Sequence, residues 1–324
     1  MQAIKKSASF FNTVRQAIFY LKPSEFDSRK AKGGSKKNMK VSTEIYSAAR
    51  HIGEERAIEL YARAGFDCYD LSMFEMARID WSKMTVIDTK HPFAKSDYAS
   101  FAKKLRNVAD ACGIECNQSH APFPTRIVGL DYIKRAIECT AIAGGKICIV
   151  HPDNNLSAEE NAKMYAEILP FAKDHGIKIA TENMWNWEKD APQSCFAACS
   201  TSEDFVKHID TVNDPSFVAC LDIGHAEMRG SGSGAYNMIK ALGNRLCALH
   251  IHDNDQLGDS HQIPFSMNID FEQVAKGLKE INYQGELTLE ADRYLEAFDA
   301  SNIYDGIKNL YASVKRLDDL IKTV

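Results

Sequence analysis

The sequence predicts an α/β chain folded as a (β/α)8 barrel, and three observations carry that expectation. Apolar runs of strand length, hydrophobic on both faces, alternate eight times with segments of helical periodicity, the pattern of a parallel sheet covered by helices. Four of these runs stop on a carboxylate or imidazole: Lys178-Ile-Ala-Thr-Glu182, Val218-Ala-Cys-Leu-Asp222, Leu246-Cys-Ala-Leu-His-Ile-His-Asp253 and Glu286-Leu-Thr-Leu-Glu290. Ligands of parallel sheets bind at the carboxyl ends of strands. No Gly-x-Gly-x-x-Gly follows the first strand, which counts against an open doubly wound sheet, and eight repeats of the unit close into a barrel.

The first strand is expected over 40–47. A helix over 53–64 follows, where Ala57, Leu60 and Tyr61 recur at helical spacing and Gly65 stops it. The second strand, 67–73, precedes a long loop and a helix over 98–112. Strands over 114–120 and 146–151 bracket a helix over 128–143. The next helix, 157–175, opens on the capping box Ser157-x-x-Glu160 and leads to strand 178–182. A helix over 202–212, with Ser202 as its expected N-cap, leads to strand 218–222. Helices over 235–243 and 271–281 flank strand 246–252, and a helix over 303–322 follows strand 286–290. The loops after strands two, five and seven are the long ones, as expected on the face where barrels keep their sites.

Residues 39–324 are expected to form this one domain. Residues 1–38 join a weakly amphipathic stretch, 10–21, to a Lys-, Gly- and Ser-rich stretch, 28–37, and read as a disordered or loosely attached extension. The first 40 residues hold ten Lys and Arg against Glu25 and Asp27, a net of +8 within a total of −5, which leaves −13 on the remainder. An acidic body argues against a surface built to neutralise phosphodiester backbones. No apolar run approaches the ~20 residues of a membrane span, and the start lacks a signal-peptide core, so a cytoplasmic setting is expected. Nine cysteines, an odd number with several inside apolar strands, read as reduced core thiols. Cys112-x3-Cys116 and Cys195-x3-Cys199 have no second pair at finger-like spacing and are set aside as zinc half-sites.

On a barrel, successive strand ends converge on one mouth. Glu182, Asp222, His250 and Glu290 would then make an N/O-ligand site suited to one divalent ion, Mn2+, Co2+, Mg2+ or Zn2+, rather than to copper or an iron–sulfur centre. Carboxylates crowded at a barrel mouth repel one another and need a cation.

These residues resemble the xylose isomerase-like TIM-barrel superfamily, which includes sugar isomerases and epimerases, inosose dehydratase-like proteins and endonuclease IV. The resemblance spans about 39–320 and rests on Ser119-His-Ala-Pro122, Val150-His-Pro152, Thr181-Glu-Asn183, Cys220-Leu-Asp-Ile-Gly-His225, His250-Ile-His-Asp-Asn254, Asp259-Ser-His261 and Leu289-Glu-Ala-Asp292. It implies a metal held by Glu182, Asp222, His250 and Glu290, with Glu182 and Glu290 as the acid–base pair. Glu188, six positions after the first ligand, and His225, three after the second, would hold sugar oxygens, while Trp185 and Trp187 are candidates either to stack on the sugar or to pack. The family's spacing favours His250, yet alternation turns His252 to the same side, so His252 stays open as the alternative ligand. The implied reaction is a sugar or sugar-phosphate isomerisation or epimerisation, by proton transfer through an enediolate that the metal stabilises.

Endonuclease IV-type members use nine ligands for three zinc ions, and this chain has a residue at each position: His120, His151, Glu182, Asp222, His225, His250, Asp259, His261 and Glu290. That implies up to three Zn2+ and phosphodiester hydrolysis as the alternative. The acidic body ranks sugar chemistry first, as do the lack of a run of Arg, Lys and wedge aromatics after strands one to three and the differing wording of His151-Pro-Asp-Asn-Asn155. In the sugar reading His120, His151 and His261 bind substrate hydroxyls. A dehydratase or lyase of the same superfamily, and a barrel that binds without turnover, complete the alternatives. Relatives often carry Pro-Pro-Gly-Glu-Gly after His261, whereas this chain reads Gln262-Ile-Pro-Phe-Ser-Met267, so the sugar itself is left open. Gly230-Ser-Gly-Ser-Gly234 reads as a flexible loop ahead of a phosphate cradle, and His51, His91, His175 and His208 read as solvated. The expected partner is a small carbohydrate, not nucleic acid or membrane, with a homo-oligomer left open.

Overall fold

The computed structural model describes residues 38–324. The expected N-terminal extension, apart from Asn38, lies outside the described residues. Eight parallel strands form the barrel: β1 Val41–Thr43, β2 Cys68–Ser72, β3 Glu115–His120, β4 Ile147–Ile149, β5 Lys178–Glu182, β6 Phe217–Asp222, β7 Leu246–His250 and β8 Leu287–Leu289. Strands β2 to β7 hydrogen-bond in sequence order, and β1 pairs with β8 in the register Val41 to Leu287. Asp67 N bonds Val41 O and Ile45 N bonds Asp70 O on one side, while Ile251 N bonds Thr288 O and Glu290 N bonds Ile251 O on the other. These four bonds close the ring.

Each strand is followed by a helix: α1 Glu54–Ala64, α2 Tyr98–Cys112, α3 Leu130–Ala143, α4 Ala158–Asp174, α5 Ser202–Val212, α6 Ala235–Leu242, α7 Phe271–Glu280 and α8 Ile303–Thr323. Each helix packs on the next, and α8 packs on α1 to complete the outer layer. Their apolar faces meet the outward side chains of the strands, Leu71, Ile179, Leu221 and Leu249 among them, in the main core. No described helix is long and apolar enough to cross a membrane.

Several details depart from expectation. Strand β1 is short because the Glu44 carboxylate accepts from Ser47 N at 3.0 Å and turns the chain into an unanticipated helix, Tyr46–Ile52. Strand β7 ends at His250 rather than 252. The capping box of α4 is present, but the N-cap of α5 is Thr201, whose hydroxyl accepts from Asp204 N at 3.2 Å; Ser202 is the first helical residue. His208 is buried against Asn161 and His91 bonds Glu54 at 2.6 Å, so neither is a solvated imidazole. The nine cysteines are all free.

The N-cap assignment is testable by urea denaturation. Thr201→Ala should cost about 1 kcal/mol, whereas Ser202→Ala, which removes a buried hydroxyl with no hydrogen-bond partner, should be close to neutral. The reverse order would restore Ser202 as the cap.

Candidate metal centre

Period-two alternation decides what faces the barrel axis. Ala180 precedes Glu182 on one face of β5, Val218 and Cys220 precede Asp222 on β6, and Ala248 precedes His250 on β7. With Ile149, these small residues form a separate apolar cluster that shares no member with the helix-facing core. It forms the floor beneath the polar strand ends.

Above it, Glu182, Asp222, His250 and Glu290 each bring one ligand atom, all within 4.8 Å of one another and all buried. His250 Nδ1 lies 3.1 Å from Glu182 Oε1 and 3.2 Å from Glu290 Oε2. Two further groups share the mouth: His120, His151 and Glu182 on one side, and His225, His252, Asp259 and His261 on the other. His252 therefore falls in a different group from His250. It lies 3.1 Å from Asp222 Oδ1, off the hydrogen-bond axis, and stacks on His261 at 4.0 Å.

Three of the imidazoles are anchored through Nδ1. His120 Nδ1 faces Ala121 O at 2.8 Å, His225 Nδ1 faces Asn183 O at 2.9 Å, and His261 Nδ1 faces Glu290 O at 2.8 Å. A carbonyl only accepts, so each Nδ1 carries hydrogen and each Nε2 is turned into the mouth. His120 Nε2 meets His151 Nε2 at 2.9 Å, and His261 Nε2 meets Asp259 at 3.1 Å. Histidines pinned this way on one nitrogen are what metal sites need. Asp222 Oδ2 and Asp259 Oδ1 are buried with no hydrogen-bond partner, which is costly unless something else satisfies them.

The charges divide unevenly. Burial would raise the Glu182 carboxyl, but His250, His120 and His151 outweigh it and hold Glu182 well below the usual range. Burial drives Glu290 well above that range, with the negative charges of Glu182 and Asp222 adding to it against the pull of His250. Burial next to His120 pushes His151 down to about 4. His225 is raised to about 10, because Asp222 and Asp259 overcome the burial that would lower it. His261 is raised well above its ordinary value by Asp259 against the same opposition.

Of the other expected residues, Trp185 stands edge-on to His225 at 6.4 Å. Glu188 follows the strand Asn186–Trp187 of a small hairpin with Ser194–Cys195, half-buried, and no described contact ties its side chain to the three groups. Sequence reasoning missed Phe74 and Phe123, whose rings wall the other side: Phe74 lies 4.9 Å from His120, and Phe123 lies 4.7 Å from His151 and 5.4 Å from Phe74. Isolated aromatics in loops carry no sequence signal for such a wall. Trp81 and Phe123 are exposed in the loops after the second and third strands, too far apart in sequence to form a run. The cations of the same region are largely paired, Arg78 with Glu75, Lys83 with Asp80 and Lys95 with Asp88. Gly230 to Gly234 is no phosphate cradle. Glu227 already occupies the N-terminus of α6 through Ala235 N at 2.7 Å, and side chains at Gly230 and Gly232 would strike the carbonyls of Ser194 and Ala226.

Gly224 explains its own place in Asp-Ile-Gly-His: a Cβ there would lie 1.9 Å from His252 Cε1. Gly224→Ala should cost about 1–3 kcal/mol by overpacking and displace the His252 ring, read by denaturation and histidine side-chain NMR. An equally stable variant with an unmoved imidazole would contradict this placement.

The chain's relatives agree with the architecture. An uncharacterised protein of Methanocaldococcus jannaschii is 27% identical over 209 residues, covering 59% of this chain and 66% of its own. The L-ribulose 3-epimerase of Methylomonas sp. is 23% identical over 252 residues, covering 74% of this chain and 78% of its own. The matched part spans only 66%, 61% and 59% of the lengths of three uncharacterised curated relatives. The crystal structure of the IOLI protein with a zinc atom has the same fold, with a TM-score of 0.65 at 17% identity over 86% of this chain and 98% of that one. The sequence profile of the xylose isomerase-like TIM barrel matches residues 58–313, and the chain belongs to that family.

Proposed function

We propose that the chain is a divalent-metal-dependent sugar isomerase or epimerase. The observation that carries this reading is the buried group at the ends of β5 to β8, Glu182, Asp222, His250 and Glu290, with ligand atoms within 4.8 Å of one another. The residues fit an ion: three carboxylates and one imidazole suit a hard or borderline divalent cation, and the unpartnered Asp222 Oδ2 is a buried acceptor in need of one. Similarity to an L-ribulose 3-epimerase points to carbohydrate as the substrate class. When bound, the ion would supply Lewis acidity that makes a C–H beside a carbonyl easier to break.

The protein side of the reaction follows from the remaining groups. Glu182 and Glu290 both reach His250 Nδ1, so they flank one point and can serve as base and acid there. Their environments push them apart, Glu182 toward the ionised form and Glu290 toward the neutral one, as such a division of roles requires. His120, His151 and His225 are placed to hold sugar hydroxyls. Phe74, Phe123 and Trp185 would cover the apolar faces of the ring and exclude water.

A second reading is supported by the two flanking groups. His120, His151 and Glu182 together with His225, Asp259 and His261 offer places for two more ions, which would suit zinc-assisted phosphodiester hydrolysis.

Two measurements test these readings. Glu290→Gln should fold normally yet lose C–H exchange of a ketose substrate in deuterated water by at least about 100-fold, the scale of a general acid–base group; full exchange would refute the acid–base role. Elemental analysis of protein reloaded with Zn2+ or Mn2+ should give one ion per chain. Three zinc ions, with hydrolysis of a phosphodiester, would move the second reading to first place.

A further inference from the structure

We infer that Asp70 positions the metal centre, fixing His250 so that it meets the ion through Nδ1. This rests on the metal-dependent reading above. Asp70 lies on β2, across the barrel from β7, with β1 and β8 between them in the ring. Its Oδ2 is 3.3 Å from His250 Nε2, and both side chains are at most 1% exposed. The opposite nitrogen of the same ring, Nδ1, faces Glu182 and Glu290. His250 is thus the reverse of His120, His225 and His261, which give Nδ1 to a carbonyl and turn Nε2 inward. Its outward nitrogen also meets a carboxylate rather than a carbonyl, the partner that most raises the basicity of a ligating imidazole.

Asp70 is itself held in place. Gln118 Nε2 donates to Asp70 Oδ2 at 2.9 Å and to Leu249 O at 3.3 Å. Both partners only accept, so this end of the amide is the NH2, and Oε1 takes the Thr288 hydroxyl at 3.3 Å. Asn117 Nδ2 also donates to that hydroxyl, and Asn117 Oδ1 accepts from Ser42 Oγ. The network ties β1, β2, β3 and β8 to one carboxylate, far more scaffolding than a filler residue requires. Asp70 Oδ1 has no hydrogen-bond partner, so all of the bonding converges on the oxygen that faces His250.

That geometry shapes the Asp70→Asn variant. An amide oxygen in place of Oδ2 keeps both bonds and removes the charge, while the NH2 falls where Oδ1 has no partner and is left unsatisfied. Zn2+ affinity, measured on the full chain by competition with a chromophoric chelator, should weaken about 10- to 100-fold, with the Co2+ visible spectrum altered and the ion-free protein folded but modestly less stable. Histidine 15N NMR of zinc-loaded wild-type protein provides a readout that needs no variant: His250 should carry its proton on Nε2 and bind through Nδ1. Unchanged affinity and spectrum in the variant, or coordination through Nε2 in the wild type, would overturn the role of Asp70 while leaving the metal centre standing. Wild-type protein that takes up no ion would overturn both.

Discussion

The constraint on which the site depends is the concentration of charge in a dry barrel mouth. Six imidazoles and four carboxylates from six strand ends and the loop after β7 converge there, most of them buried. Groups of this kind cannot be stacked at random, because an unpaired buried charge costs several kcal/mol and like charges within a few ångströms raise that cost. The surrounding architecture therefore reads as a means of fixing which nitrogen and which oxygen point inward. Backbone carbonyls do this for His120, His225 and His261, and a carboxylate does it for His250. Close packing does it for His252, with Gly224 against one side and His261 stacked 4.0 Å away.

The floor of the barrel shows the same logic at the level of packing. Ala180, Val218, Cys220 and Ala248 are small or of moderate size, and they sit directly below the ligands along their own strands. On the other side of the interior the filling is polar, with Ser42, Asn117, Gln118 and Thr288 bonded to one another and through Gln118 to Asp70. A buried network in which the members hold one another is rigid and specifies one arrangement. Its one bond to Asp70 comes from Gln118 Nε2 and falls on the oxygen that faces His250.

The barrel and the convergence of four strand-end candidate ligands were legible because both are written in local patterns. An apolar run that stops on Glu, Asp or His announces a strand and the polarity of its end together. Helix boundaries were read to within a few residues for the same reason, and the error at α5 came from choosing between adjacent hydroxyls, Thr201 and Ser202, on composition alone. Parity alone could not separate His250 from His252, and only the spacing of the resemblance favoured His250. The structure separates them by ending β7 at His250, after which the chain carries His252 toward Asp222 and Asp259. Asp70 was illegible. It interrupts the run Cys68-Tyr-Asp-Leu-Ser72 and reads as a flaw in a strand, and its partner is 180 positions away. Glu188 shows the converse: it was named from resemblance alone, and no described contact draws it to the cluster.

Charge balance separates the groups in a way that bears on the chemistry. The central group sets Glu182, Asp222 and Glu290 against the single imidazole of His250, and burial, with the charge of Glu182 added, drives Glu290 toward its neutral form against the pull of His250. The flanking group has the opposite composition, one carboxylate, Asp259, among His225, His252 and His261. Against the burial that would lower both, Asp259, 3.1 Å from His261 and 3.5 Å from His225, raises His261, and together with Asp222 it raises His225. That group can neutralise itself with protons, while the central one cannot reach neutrality without a cation or a protonated acid. A divalent ion therefore has its largest electrostatic reward at the ends of β5 to β8, and the flanking imidazolium groups are left as donors facing whatever oxygen-rich molecule enters the mouth. A polyhydroxylated sugar, with a carbonyl for the ion and hydroxyls for those donors, matches that division of charge.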